Sequence, residues 1–247
     1  MIEFKGIKKA FGPKVVLDGV DLVVQTGEVL FIIGASGAGK SVTVKHLIGL
    51  LRPDAGRILL DGVDITDYTE AQYFEVRKRC AMVFQNSTLF DSMTLLDNVA
   101  LPIRKHRKVS LKEARRLAME KLALVGMTAE AERYPADFGD GMRKKVAIAR
   151  ALTLDPDYVI FDEPTTGVDP ISAAMIDKMM RRLSDEQNVT CIVISHDLRS
   201  IFGIADRVVM LYKGTTLFDG TREELRACPN GIVQQFINGE PEGPMDV

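Results

Sequence analysis

Gly34-Ala35-Ser36-Gly37-Ala38-Gly39-Lys40-Ser41 has the spacing G-x-x-x-x-G-K-[ST], a set of residue types suited to holding a polyphosphate. Glycines let the main chain curl until successive N–H groups point at phosphate oxygens. A helix starting where the loop ends adds the positive end of its dipole. Lys40 then reaches the β- and γ-phosphates, and the Ser41 hydroxyl is an oxygen ligand for Mg²⁺. A second constellation closes the apolar run Tyr158-Val159-Ile160-Phe161 with Asp162-Glu163. Two carboxylates leaving a buried segment need a counter-charge, because burying charge is expensive. A Mg²⁺–nucleotide complex supplies one: Asp162 would hold the metal, directly or through water, and Glu163 would orient and polarise an attacking water. Gln85, after Ala81–Phe84, and His196, after Cys191–Ile194, are weaker signals taken singly. At the tips of core strands, where open α/β sheets place ligands, the amide can bridge metal and water. The imidazole there can touch a γ-phosphate.

These side chains need strands that end at the site and helices that start from it. Val29–Ile33, Ala81–Phe84, Tyr158–Phe161, Cys191–Ile194, Val208–Tyr212 and Thr216–Phe218 read as strands. Their near-continuous apolar character predicts cover on both faces, and the alternation with helices predicts an α/β core. Val42–Leu50 reads as the helix after the loop. Between Gln85 and Asp155 the texture becomes mainly helical. Ser110-Leu111-Lys112-Glu113 is a capping box that opens a helix toward Val125, with Leu111, Ala114, Ala118, Leu122 and Val125 on one face. A second helix is predicted from Met142 to Leu154. The chain thus reads as one domain, 1–247: a nucleotide-binding core (1–86 and 157–225), an inserted helical lobe (87–156) and a C-terminal tail (226–247). From Asn238 onward the tail is rich in Gly, Pro and Glu and reads as extended unless it docks.

At 247 residues, 46% hydrophobic and 27% charged, the chain fits a large globular domain rather than a disordered or fibrous one. No apolar run reaches the roughly 20 residues of a membrane span, and Met1-Ile2-Glu3-Phe4-Lys5 lacks a signal-peptide core. The expected location is cytoplasmic. Cys80, Cys191 and Cys228 form no C-x-x-C pair and read as separate thiols. A net charge of −2 gives no overall pull toward nucleic acid. The basic run Arg104-Lys105-His106-Arg107-Lys108 reads as a solvated loop in preference to a lipid-headgroup contact.

Over nearly its whole length the sequence resembles the ATPase subunits of ABC transporters. The resemblance rests on Gly34–Ser41, Val83-Phe84-Gln85, Ile160-Phe161-Asp162-Glu163-Pro164-Thr165, Thr166-Gly167-Val168-Asp169-Pro170, Ile194-Ser195-His196-Asp197 and Val146–Leu152 in the family's order and spacing. It implies a P-loop NTPase (RecA-like) α/β core with an N-terminal antiparallel β subdomain and an inserted helical signature lobe. It further implies ATP and Mg²⁺ as ligands and a head-to-tail homodimer. Adenine would stack on Phe11 beside Val16. The loop Gly34, Ser36, Gly37, Ala38, Gly39, Lys40, Ser41 and Val42 would bind the phosphates. Ser41, Gln85 and Asp162 would hold the metal, with Lys40, Gln85, Glu163 and His196 at the reacting phosphate. Asp169 would communicate across the dimer. Phe84–Phe90, Leu96–Pro102, Met142 and Gln234–Pro244 are similar to the Mla-type subunits that energise phospholipid trafficking. That similarity implies an integral-membrane permease, a peripheral place on the cytoplasmic face of the inner membrane, and, as further partners, a periplasmic lipid-binding protein and a small cytoplasmic regulator. Leu89, Phe90, Met93, Leu95 and Leu96 would either dock on the permease or pack inside the lobe.

One departure bears on turnover. Where the family reads Leu-Ser-Gly-Gly-Gln, this chain has Phe138-Gly139-Asp140-Gly141-Met142. The loop would close over ATP held by the partner subunit, and Asp140 would bring a carboxylate to a polyphosphate without the serine hydroxyl. Three readings stay open: a slower ATPase, an Asp140 turned outward toward Arg143 or Lys144 with near-normal turnover, or a nucleotide-dependent scaffold. Other functions compatible with the sequence are an importer of a small polar solute such as an amino acid, or an ABC ATPase working outside transport. The absence of a coiled coil and of a basic stripe argues against DNA or ribosome work.

Overall fold

The computed structural model describes residues 1–245. Two sheets carry the chain. β1 (Ile2–Phe11), β2 (Lys14–Val24), β4 (Ala55–Leu60) and β5 (Val63–Asp64) pair antiparallel in the order β2-β1-β4-β5. The larger sheet contains β3 (Val29–Ile33), β6 (Cys80–Val83), β7 (Tyr158–Asp162), β8 (Thr190–Ile194), β9 (Arg207–Tyr212) and β10 (Thr215–Gly220). Its order is β10-β9-β3-β8-β7-β6, parallel throughout except for β10 at the edge. β3, β7 and β8 have every residue buried, as their uninterrupted apolar runs require of strands covered on both faces.

Successive side chains of a strand point to opposite faces. Leu30 and Ile32 therefore pack toward the antiparallel sheet with Phe4, Leu47, Tyr158 and Ile160. Phe31 and Ile33 pack on the other side with Phe161, Val193, Ile176, Met180 and Val233. α1 (Lys40–Leu47) and α2 (Glu70–Arg79) belong to the first layer. α6 (Pro170–Gln187), α7 (Leu198–Ile204), α8 (Arg222–Ala227) and α9 (Gly231–Asn238) belong to the second. α3 (Leu95–His106), α4 (Leu111–Leu124) and α5 (Asp140–Ala151) build a separate apolar cluster from Leu95, Val99, Ile103, Ala114, Ala118, Leu122, Val146 and Ala149.

α4 begins at its Ser110 cap as the sequence predicts, the hydroxyl accepting from Glu113 N. α5 starts two residues earlier than expected, at Asp140, and gives way to a 3₁₀ turn at Leu152–Leu154. A carboxylate suits the positive first turn of a helix, which extends α5 back to Gly139 as its cap. The basic run does not form a loop as expected: Arg104, Lys105 and His106 are the last turn of α3, where cations suit the carbonyl end. His106 stacks on Phe74 of α2 with centroids 4.7 Å apart. Leu95 and Leu96 are buried in the lobe, whereas Phe90 is 48% exposed. The tail docks: Met245 N donates to Gln235 Oε1 at 2.6 Å, and the Met245 side chain is buried against the second layer. The chain ends with Asp246 and Val247, which lie outside the described residues.

Candidate nucleotide and metal site

The phosphate loop leaves β3 through Gly34, whose φ is +138°. A Cβ there would lie 2.2 Å from the Leu211 carbonyl oxygen, so the main chain passes β9 at a distance that only glycine permits. Gly39, at φ +96°, caps α1 without a side-chain hydrogen bond. The first N–H groups of α1 therefore face the loop's concavity unclaimed by a side-chain cap, the arrangement that attracts anions. Lys40 Nζ folds onto the loop and donates to the Gly34 and Ala35 carbonyls at 2.7 and 3.0 Å. Burial draws its pKa below the ordinary lysine value, and Glu163 and Asp162 oppose that shift.

The register of the parallel sheet brings the carboxylates to the loop. β7 and β8 flank one another and β8 flanks β3, so the tip of β7 ends beside the start of α1. The Ser41 hydroxyl donates to Asp162 Oδ1 at 3.0 Å. Asp162 is only 8% exposed. Glu163 follows with φ +53°, an unusual left-handed backbone for a non-glycine residue. Its N–H donates to the Ile194 carbonyl at 2.9 Å. Its carboxylate accepts the Thr166 hydroxyl at 2.9 Å and lies 3.1 Å from His196 Nδ1. Strain of this kind persists where the surroundings over-determine it, as these partners do.

Around these groups lies one open cavity of about 720 Å³, within the range that holds a nucleotide-sized ligand. It brings together Phe11, Val16, Gly34, Ser36, Gly37, Ala38, Gly39, Lys40, Ser41, Val42, Gln85, Asp162, Glu163 and His196, all expected from the sequence. Phe11 is 46% exposed at the cavity mouth. Lys14, Ile194 and Phe236 also line it and were not expected. Phe236 lies on α9, far along the chain, and nothing in its local pattern separates it from an ordinary core aromatic. Ser41, Asp162 and the Gln85 amide are hard oxygen donors, and Ser41 and Asp162 already sit within hydrogen-bond distance. That donor set fits Mg²⁺, which is commonly held by one or two protein oxygens together with phosphate and water. Among the described residues no cluster of three His, Cys, Asp or Glu offers a competing metal site.

Two expected groups lie outside this cavity. Phe138–Met142 form the entry to α5, where Asp140 Oδ1 accepts from Arg143 Nη2 at 2.8 Å. Asp169 caps α6, its Oδ1 accepting from Ile171 N at 3.0 Å and Ser172 N at 2.9 Å. Hydrogen bonds from Ser172 hold its carboxyl below the usual carboxylate range.

The family model described as ABC transporter matches residues 17–166. The intermembrane phospholipid transport system ATP-binding protein MlaF of Haemophilus influenzae is 39% identical over 245 residues, covering 99% of this chain and 93% of that protein. The probable ribonucleotide transport ATP-binding protein mkl of Mycobacterium tuberculosis is 38% identical over 244 residues, covering 99% of this chain and 68% of its own. A dimeric ATP-binding cassette in a post-hydrolysis state with ADP and Pi superposes with a TM-score of 0.82 at 29% identity, over 90% of this chain and 98% of its own. With the phosphate loop, the carboxylate strand and the six-stranded sheet in one arrangement, the chain belongs to the ABC transporter family as an ATP-binding, ATP-hydrolysing subunit.

Proposed function

We propose that the chain energises movement of phospholipids or similar hydrophobic compounds between bacterial membranes. In this reading it works as a homodimer clamped to an integral-membrane permease on the cytoplasmic face of the inner membrane. The observation that carries the substrate class is the 39% identity to MlaF along almost the full length of both chains. A periplasmic lipid-binding protein and a small cytoplasmic regulator belong to the same reading. The docking surface for the permease lies around Gln85 to Pro102, where Phe90 is left exposed.

The chemistry follows from the cavity. Adenine lies on the face of Phe11 with Val16 beside it. Main-chain N–H groups of Gly37, Ala38, Gly39 and Lys40 hold the phosphates, and Lys40 exchanges the Gly34 and Ala35 carbonyls for phosphate oxygens. Ser41, Gln85 and Asp162 are the residues for Mg²⁺, which when bound neutralises charge on the β- and γ-phosphates. Glu163 would orient the attacking water and accept a proton from it, and Thr166 and His196 hold that carboxylate in place. His196 also steadies the γ-phosphate. Asp140 would meet the partner's nucleotide with Arg143 offsetting part of its charge, which favours retained turnover over a scaffold without turnover. Hydrolysis drives transport only because the permease fits one dimer state better than the other.

The test is reconstitution with its membrane permease in vesicles that contain fluorescent phospholipid. ATP-dependent phospholipid transfer is the expected result. In the Glu163→Gln protein, ATP binding persists while turnover and transfer fall by about a hundredfold or more, the scale of a lost general base. A second reading comes from mkl, whose name assigns ribonucleotide transport. ATP-dependent movement of a labelled ribonucleotide other than ATP or ADP across the vesicle membrane, with no phospholipid moved, would establish that reading in place of this one.

A further inference from the structure

Lys144 is 1% exposed, although it lies in the second turn of α5 and carries an ammonium group. A buried cation is expensive unless its donors are used. Its Nζ donates to the Gln85 carbonyl at 2.5 Å and to the Phe84 carbonyl at 3.3 Å. Asp140, Asp162 and Glu163 are near enough to favour its charged form against the effect of burial. Farther along the same helix, Arg150 Nη1 donates to the Thr88 carbonyl at 2.8 Å. Arg150 Nη2 reaches the Ser87 carbonyl at 3.1 Å and the Thr88 hydroxyl at 2.9 Å. Ser87 and Thr88 have φ values of +56° and +50°, in the left-handed region. Two cations of one helix thus hold four main-chain carbonyls, those of residues 84, 85, 87 and 88, in a segment whose backbone is itself unusual.

A lysine kept for packing alone would serve as well as methionine. This one grips the main chain at the residue whose amide lines the nucleotide cavity. We infer that Lys144 is a positioning residue that aims Gln85 at the metal, with Arg150 pinning the next turn, so that the signature helix sets metal affinity in its own subunit. The inference rests on the nucleotide and metal reading given above. By linkage, metal held at Gln85 must in turn bias the placement of α5 and of Asp140 at its tip.

The purified full-length chain is titrated with Mn²⁺ in the presence of a non-hydrolysable ATP analogue, and bound metal is read by electron paramagnetic resonance. Lys144→Met should raise the Mn²⁺ dissociation constant about tenfold, as loss of a group that orients a metal ligand commonly does. Lys144→Arg should restore it to within about twofold. Affinity for a fluorescent ATP analogue without metal, in chelator, should be unchanged in both. In a Gln85→Ala background Lys144→Met should add less than about twofold, because the effect passes through Gln85. Should Lys144→Met fail to fold, Lys144→Ala removes the donor, leaves room for water and serves in the same comparison. A parallel loss of metal-free nucleotide binding, or an undiminished effect on top of Gln85→Ala, would overturn the inference and leave Lys144 a structural cation. Equal Mn²⁺ affinity in wild type and Lys144→Met overturns it too, with the site reading intact. A wild-type chain that binds neither analogue removes both.

Discussion

His46, in the last turn of α1, has no exposed surface, and neither ring nitrogen has a hydrogen-bond partner among the described residues. Burial pulls its pKa below the ordinary histidine value, and the nearby Val42 carbonyl opposes that only partly. The folded chain therefore binds fewer protons here than the unfolded chain, whose imidazole titrates near about 6.5. Stability should rise with pH across the window between the lowered folded value and that point, and fall as the solution is acidified below it. One proton contributes at most about 1.4 kcal/mol per pH unit. Urea unfolding from pH 7.5 to 5 should show this slope in wild type and a flatter one in His46→Leu. Identical slopes would mean that the ring is already charged or already solvated. The signature loop gives a second test at this scale. Arg143→Ala leaves Asp140 unpaired and should lower ATP turnover roughly threefold, the scale of an exposed ion pair. Gly139→Ser with Asp140→Gly should then make the arginine dispensable. An Arg143→Ala protein with full turnover would show that Asp140 stays clear of the partner's nucleotide.

The elements show what sequence pattern can and cannot carry. β3, β7 and β8 were legible through the apolar runs Val29–Ile33, Tyr158–Phe161 and Cys191–Ile194, and the phosphate loop was legible because its glycines and lysine have fixed spacing. β1 and β2 had no clean alternation to read. Register shifts fall between Phe4 and Ile7, Ile7 and Lys8, and Lys9 and Ala10, and Gly6 turns to φ +60° inside the strand. Such bulges move side chains from one face to the other and erase the period of two. α9 is capped by Asn230, which accepts from Ile232 N and Val233 N, yet it follows a polar connection and ends in a tail that looks unstructured. Its place beside the cavity comes from long-range packing. The contacts of Lys144 with the Gln85 carbonyl and of Thr166 with Glu163 were not legible for the same reason, since each needs a partner that the fold supplies. Asp169 stands between these cases. Its sequence position suggested communication across a dimer, and its local role is the cap of α6. Loss of a cap of this type should lower the melting temperature of Asp169→Ala by roughly 2–4 °C. Asp169→Asn keeps the accepting oxygen and should melt near wild type. A fall in ATP turnover with Asp169→Asn at unchanged melting temperature would separate communication from capping.

At the scale of the whole molecule, Phe138–Met142 are absent from the wall of the cavity formed by their own chain. Gly139 has φ −73° and open space around it, with nothing within 4 Å of where a Cβ would stand. The loop therefore places no side chain at 139 in the space through which a second chain would approach. In a two-fold dimer residue i meets j and j meets i, so in the proposed head-to-tail pair two such cavities would form, each completed by the other copy's loop. This arrangement can be tested without a structure of the dimer. Lys40→Ala disables the phosphate loop and leaves the signature loop intact. Gly139→Tyr is compatible with its own backbone and fills the space between its own loop and the nucleotide of a partner. Each homodimer then has no complete site and should be inactive. In a one-to-one mixture about half the dimers are mixed, and each mixed dimer has one complete site, the phosphate loop of the tyrosine chain beneath the signature loop of the alanine chain. ATP turnover should return to at most about a quarter of wild type. Turnover retained by Gly139→Tyr alone would show that the loop is not needed at the nucleotide. No recovery on mixing two well-folded, dimeric variants would remove the head-to-tail pair.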